Sequence, residues 1–167
     1  KKFSDILTEI KGKGFLEPDP RDDLSGMDVA RKILILAREA GSLIDLNKVN
    51  VENLIPKHIN IVSVEDFWNK IYLLDDYYEK LIEKADKSNT VLRYIATYNK
   101  IEDKANAKIN FIPKEHPFFN LRNSENIVAI YTNRYLELPL IVKGPGAGAE
   151  VTAGGVFADF LKAAKVI

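Results

Sequence analysis

Apolar residues at positions 3, 6, 7 and 10 follow the three- and four-residue steps of one helical face, so residues 3–11 read as a helix. A second such pattern runs over 27–40, with Gly41 as its stop. Ahead of it Ser25 stands as N-cap, and Asp28, three residues on, completes a variant capping box. Ser63 with Asp66 repeats the device and opens a helix near 64–71. Leu73, Leu74, Tyr77, Tyr78, Leu81, Ile82 and Ala85 then form a helical stripe. Residues 91–98, 108–112, 126–132 and 138–143 are rich in β-branched and aromatic side chains and read as strands. Shorter, paired strands are expected at 48–54 and 59–62, and a last helix over about 151–165. This order predicts an α+β domain, its sheet mostly antiparallel and its helices packed on one face. Along 126–132, Ile127, Ala129 and Tyr131 alternate with Val128, Ile130 and Thr132, so both faces are largely apolar. Part of the second face therefore needs a cover, for which another subunit would serve.

Composition narrows the classes. A chain of 167 residues with 46% hydrophobic content suits one domain with a real core. Its 24 basic and 24 acidic residues cancel, and no basic stripe interleaved with aromatics points to nucleic acid. Without cysteine there are no disulfides or thiolate metal sites. Residues 1–14 carry acidic groups at helical spacing, unlike a secretory leader, and no apolar run reaches the roughly 20 residues that span a bilayer. The expectation is a soluble, cytoplasmic chain with neither membrane nor nucleic-acid partner.

The densest chemistry lies in EPDPRDDLSGMDVARK, residues 17–32. Glu17, Asp19, Arg21, Asp22, Asp23, Asp28, Arg31 and Lys32 all ionise there, and Ile33, Leu34, Ile35 and Leu36, which belong in a core, follow at once. Charges beside a core need partners or a ligand. Pro18 and Pro20 hold the segment extended. Asp28 and Lys32, at i and i+4, share a helical face, and Glu17 stands before the turn, able to fold back toward them. Two structural readings stand beside the functional one: Asp28 as a simple cap, and Asp28 with Lys32 as an ordinary ion pair.

The string resembles, almost residue for residue, the catalytic-domain motif of homoserine dehydrogenases, including forms fused to aspartokinase. The resemblance implies that Glu17 binds substrate, that Asp28 joins it with Asp23 as a further substrate-side carboxylate, and that Lys32 transfers the proton, with Asp28 supporting it. Phe15 and Leu16 stand where the family carries Tyr-Thr, which removes those two side chains from the expected contacts. The implied reaction is interconversion of L-homoserine and L-aspartate 4-semialdehyde with NADP or NAD, a step of threonine and methionine biosynthesis. The residues that would choose between the two cofactors lie in an N-terminal Rossmann domain expected to be missing from this chain, which alone would then be inactive.

A glycine-rich loop at 144–149 satisfies G-x-G-x-x-G/A. A Rossmann unit also needs a second parallel strand and an acidic residue about 20 positions on, whereas only 18 residues follow Ala149. The surrounding GPGAGAEVTAGGVFADFL is instead similar to the family's C-terminal segment, which returns from the substrate domain to the nucleotide domain. That likeness implies a backbone contact to cofactor at Gly148, with Gly14 as a second candidate; a turn that simply needs small residues is the alternative. Residues 1–150 are thus expected to form the catalytic, substrate and dimerisation domain. Residues 151–167 form a helix whose Val156, Phe157, Phe160 and Leu161 would face the nucleotide domain, and a homodimer is expected. His58 and His116 are too far apart for a local metal motif, and no metal is expected. Phe67, Trp68, Tyr77 and Tyr78 suit core packing, and no G-x-S-x-G occurs. The rival reading is a non-enzymatic α+β interaction or regulatory module, with the acidic stretch as a solvated face. It predicts that Glu17, Asp28 and Lys32 point apart, where the enzyme reading has them converge.

Overall fold

In the computed structural model, which describes residues 1–14, 16–122, 125–146 and 148–165, the chain divides into two units, Lys1–Glu115 and His116–Ile167. The first begins with α1 (Phe3–Gly12), which turns Leu7 into the core and stacks Phe3 on Tyr78 with ring centroids 3.8 Å apart. The Ser4 amide and hydroxyl both donate to the Asp75 carboxylate at 2.8 Å, tying this helix to a later one. Gly14, at φ +72°, takes the left-handed position just past the helix end and returns its N–H to the Lys11 carbonyl at 3.0 Å.

The residue between the two prolines, Asp19, is extended, as expected, and the chain then turns from Pro20 into a short helix that the sequence reading did not include, α2 (Pro20–Leu24). The Asp19 carboxylate accepts the Arg21 N–H at 3.0 Å, and Pro20 fills the first helical position, where a missing N–H costs nothing. This also moves the next cap. Helix α3 (Met27–Glu39) is preceded by Gly26 at φ +76°, not capped by Ser25. Ser25 Oγ donates to the Asp22 carbonyl at 2.6 Å and also accepts the Met27 N–H at 3.2 Å, so it closes α2 and still takes one amide at the start of α3. The Asp28 carboxylate turns to Lys32 rather than completing a capping box. The C-terminus of α3 follows expectation. Gly41, at φ +92°, donates to Arg38 and Ser42 donates to Ala37, both at 2.9 Å, which is the paired closure a left-handed glycine permits. Ala30, Leu34 and Ala37 are buried at helical spacing, while Ile35 and Leu36 are exposed. Four consecutive residues sweep roughly 300° of a helix and cannot share one face, so the expected burial of 33–36 as a block fails.

Only Asn50–Val51 of the first expected strand pairs, as β1, and residues 59–62 form none. The backbone there is satisfied by side chains of α4 (Val64–Lys70): Val62 N–H donates to Asp66 at 3.0 Å, and Lys70 Nζ donates to the Asn60 carbonyl at 3.0 Å. Ser63 caps α4 as expected, accepting the Asp66 N–H at 3.0 Å. A 3-10 turn, Ile71–Leu74, leads into α5 (Asp75–Lys87).

Strands β2 (Thr90–Asn99) and β3 (Lys104–Pro113) pair antiparallel from Thr90 opposite Pro113 to Asn99 opposite Lys104. The short β1 lies parallel on the other side of β3, giving the order β1-β3-β2. Side chains directly opposite share a face, so Leu92, Tyr94, Ala96 and Tyr98 stand with Phe111, Ile109, Ala107 and Ala105. On that face Ile109 joins the cluster of Leu7, Leu24, Ile59, Phe67, Ile71, Leu74 and Tyr78, while Ala105 and Tyr98 join Ala30, Leu34 and Val49. Helices therefore cover one face of this sheet, as expected. The second unit holds a separate sheet of β4 (Glu125–Ile130) and β5 (Leu140–Pro145), antiparallel, followed by α6 (Ala149–Ala164). The class is α+β, with two small sheets where one was expected and a parallel pairing at β1.

Burial holds the phenols of Tyr77, Tyr78 and Tyr94 above their ordinary pKa, with the Glu52 charge adding to the effect. Unfolded, they ionise near 10. The folded chain keeps these protons where the unfolded chain has lost them, so their contribution to stability is whole below about pH 10 and falls as pH rises beyond it. Phenolate absorbance followed against pH should show these three titrating late in the folded chain, with the melting temperature dropping above pH 10. A single titration step near 10 for all tyrosines of the folded protein would contradict the packing described.

Candidate active site

The candidate residues sit on two short-spaced elements of the first unit. Glu17 is exposed just before α2, and its backbone N–H donates to the Asp23 carboxylate on α2 at 2.9 Å. Asp23 thereby fixes the loop that carries Glu17. On the first turns of α3, Lys32 Nζ lies 2.9 Å from Asp28 Oδ2, as the i, i+4 spacing predicts. Both side chains are more than half exposed, so the pair adds a few tenths of a kcal/mol at most to stability. Its carboxylate and ammonium remain open to a polar ligand. The structure thus brings Glu17 together with Asp23, and Asp28 together with Lys32.

Arg21 is not part of that open set. Its guanidinium grips Asp19 from two sides, Nε to Oδ1 at 2.9 Å and Nη2 to Oδ2 at 2.6 Å. This hydrogen bonding holds the Asp19 carboxyl below the usual carboxylate range. The pair fastens the start of α2, whose Pro20 and Leu24 are buried. Leu24 in turn accepts the Leu54 N–H at 2.8 Å, and Leu54 accepts the Tyr78 hydroxyl at 2.7 Å. The charged segment is therefore held from beneath by apolar burial and backbone hydrogen bonds.

Gly26 joins the two helices under a double constraint. Its φ of +76° disfavours any side chain, and a Cβ there would meet Tyr94 Oη at 1.9 Å and Val51 Cγ1 at 2.9 Å. Sequence reasoning named neither Gly26 nor Tyr94. A glycine between two helical patterns was a signal for the first; strand alternation offers none for the second.

The glycine loop belongs to the second unit, and its Ala147 lies outside the described residues, as does Phe15. Gly146 is used by packing, since a Cβ would run into the Asn126 amide. Gly148, at φ +136°, precedes α6, and its missing Cβ faces open space. The space beside Gly14 is also open, although the end of α1 already accounts for its conformation. His116 is engaged in a turn, accepting the Phe118 N–H on Nδ1 at 3.1 Å. Among the described residues no group of three or more His, Asp or Glu could hold a metal ion, and no helix is long and apolar enough to cross a membrane.

Comparison with known proteins bears on this arrangement. The family model for homoserine dehydrogenase matches residues 1–161. The chloroplastic bifunctional aspartokinase/homoserine dehydrogenase 1 of Arabidopsis thaliana is 48% identical over 165 residues, which is 98% of this chain and 18% of that protein. Among solved structures, a Candida auris protein described as of unknown function superposes with a TM-score of 0.90 at 43% identity, covering 99% of this chain and 46% of the other. The homoserine dehydrogenase of S. aureus superposes at 0.70 with 25% identity, over 98% of this chain and 37% of its own. The chain belongs to the homoserine dehydrogenase family. It spans about a fifth of the curated relative's length and under half of each solved neighbour.

Proposed function

We propose that this chain is the substrate end of an NAD(P)-dependent homoserine dehydrogenase, interconverting L-homoserine and L-aspartate 4-semialdehyde on the route to threonine and methionine. The observation that carries the reading is the Asp23 carboxylate bonded to the Glu17 amide on one side of Gly26 and the exposed Asp28–Lys32 pair on the other. Residues 1–150 make up the substrate part, and the helix beyond returns to a nucleotide-binding part. The open space beside Gly148 fits a backbone approach by the cofactor, with Gly14 a second candidate. When bound, the nicotinamide exchanges a hydride with the substrate carbon.

In this reading the Glu17 carboxylate binds the substrate ammonium, and Asp23 holds the Glu17 loop in place while adding negative charge. As the neutral amine, after giving up its own proton to solvent, Lys32 accepts the hydroxyl proton as homoserine is oxidised; as the ammonium it returns one to the developing alkoxide in the reverse direction. Asp28, one turn away, keeps the Lys32 amine oriented. In the enzyme that carries this chain with its nucleotide-binding part, Lys32→Ala should lower kcat by about 100-fold or more. Its melting temperature should barely move, because the exposed pair contributes little. Glu17→Gln should act on the KM for homoserine and leave cofactor binding alone. Near-normal turnover by Lys32→Ala, or a defect of Glu17→Gln confined to cofactor binding, would remove those residues from their roles.

The same reading includes a homodimer. Ile130, Leu140, Ile141 and Val142 on the β4–β5 sheet and Val156, Phe157, Phe160 and Leu161 on α6 are all exposed. Burying such side chains is favourable by about 1.5–3 kcal/mol each. Sedimentation of the chain at micromolar concentration should give a dimer or larger species, and a single monomeric species would contradict it.

A further inference from the structure

Tyr94 lies outside the charged motif, yet the motif's central turn rests on it. It stands on the helix-covered face of β2, opposite Ile109. Its hydroxyl donates to the Glu52 carbonyl at 2.7 Å and lies 3.3 Å from the Ala107 carbonyl. Glu52 follows the parallel pairing directly, donating its N–H to Ala107 at 2.8 Å and accepting the Ile109 N–H on its carboxylate at 2.9 Å. Two residues on, Leu54 donates to the last residue of α2. The phenol is therefore fixed at its oxygen by the sheet edge and pressed along that oxygen by Gly26.

We infer that Tyr94 is a positioning residue for the reaction: its hydroxyl, locked to Glu52, sets the turn at Gly26 and so the placement of Asp23 and Glu17 relative to Asp28 and Lys32. The inference rests on the proposed reading of those four residues. A turn that carries binding groups on one side and the proton-transferring lysine on the other converts a small shift into misalignment, which is costly in rate. Tyr98 supplies a control. It stands on the same strand and face, but its hydroxyl donates to Asp103 at 3.0 Å, in the loop joining β2 to β3.

The test is steady-state kinetics of the enzyme carrying this chain with its nucleotide-binding part, normalised to folded protein, for wild type, Lys32→Ala, Tyr94→Phe and Tyr98→Phe. Tyr94→Phe should lower kcat/KM for homoserine about 10-fold, with the KM for cofactor within about twofold. Tyr98→Phe should stay at the wild-type value. If Tyr94→Phe leaves too little folded enzyme, it is assayed beside wild type at a lower temperature where it stays folded, with the same expectation. An unchanged kcat/KM together with a lowered melting temperature would make Tyr94 purely structural, and equal losses in Tyr94→Phe and Tyr98→Phe would equally overturn the inference. With Lys32→Ala inactive, either result refutes the positioning role alone. Near-normal Lys32→Ala refutes the site reading and the inference with it.

Discussion

The approach of Gly26 to Tyr94 leaves no room for even a methyl group between the turn and the sheet. Much of the site follows from that contact. It ends α2 and starts α3 within two residues, so that the Asp23 carboxylate, which takes the Glu17 amide, and the Asp28–Lys32 pair stand on consecutive helices. Left-handed backbone and close approach at the same residue both exclude a side chain, and each alone would favour glycine. The turn is thereby fixed by shape, with no dependence on the charges it presents.

Polar and apolar forces are divided between the two sides of the segment. Beneath it, Pro20, Leu24, Ala30 and Leu34 are buried and joined to the rest of the core by α1, α4, α5 and the sheet. Above it, Asp28 and Lys32 stay in water's reach, where their attraction is weak and their ionised forms cost little. Exposed charges on a base held by burial and hydrogen bonds stay open to a charged ligand. Asp19 and Arg21 do the opposite, spending their charges on each other to anchor the helix start.

The long periodic elements were legible in the sequence because packing and propensity agree there. The stripe of α5, the Gly41 closure of α3 and the strands of the β2–β3 hairpin all follow from pattern and turn chemistry. Failures fall where a side chain competes with the backbone. Residues 59–62 look like a strand, yet Asp66 and Lys70 take up their backbone groups. Ser25 looks like the cap of α3, and its hydroxyl does accept the Met27 N–H, but Gly26 holds the cap position and Ser25 is shared with Asp22 of the preceding helix, which the two prolines concealed. For the site, the i, i+4 rule gave the Asp28–Lys32 pair directly, and the family resemblance supplied the roles. The bond from the Glu17 amide to Asp23 and the Tyr94 support needed three dimensions, since local spacing gives no hint of a residue 68 positions away meeting a glycine.

The central claim, that residues 17–32 hold an amino-acid substrate against a proton-transferring lysine, is tested most directly by a crystal structure of the enzyme carrying this chain with L-homoserine bound. The account predicts the substrate ammonium within hydrogen-bond distance, about 2.7–3.2 Å, of the Glu17 carboxylate, and the substrate hydroxyl at a similar distance from Lys32 Nζ. Homoserine bound at this site with its hydroxyl turned away from Lys32, or bound elsewhere on the protein, would contradict it.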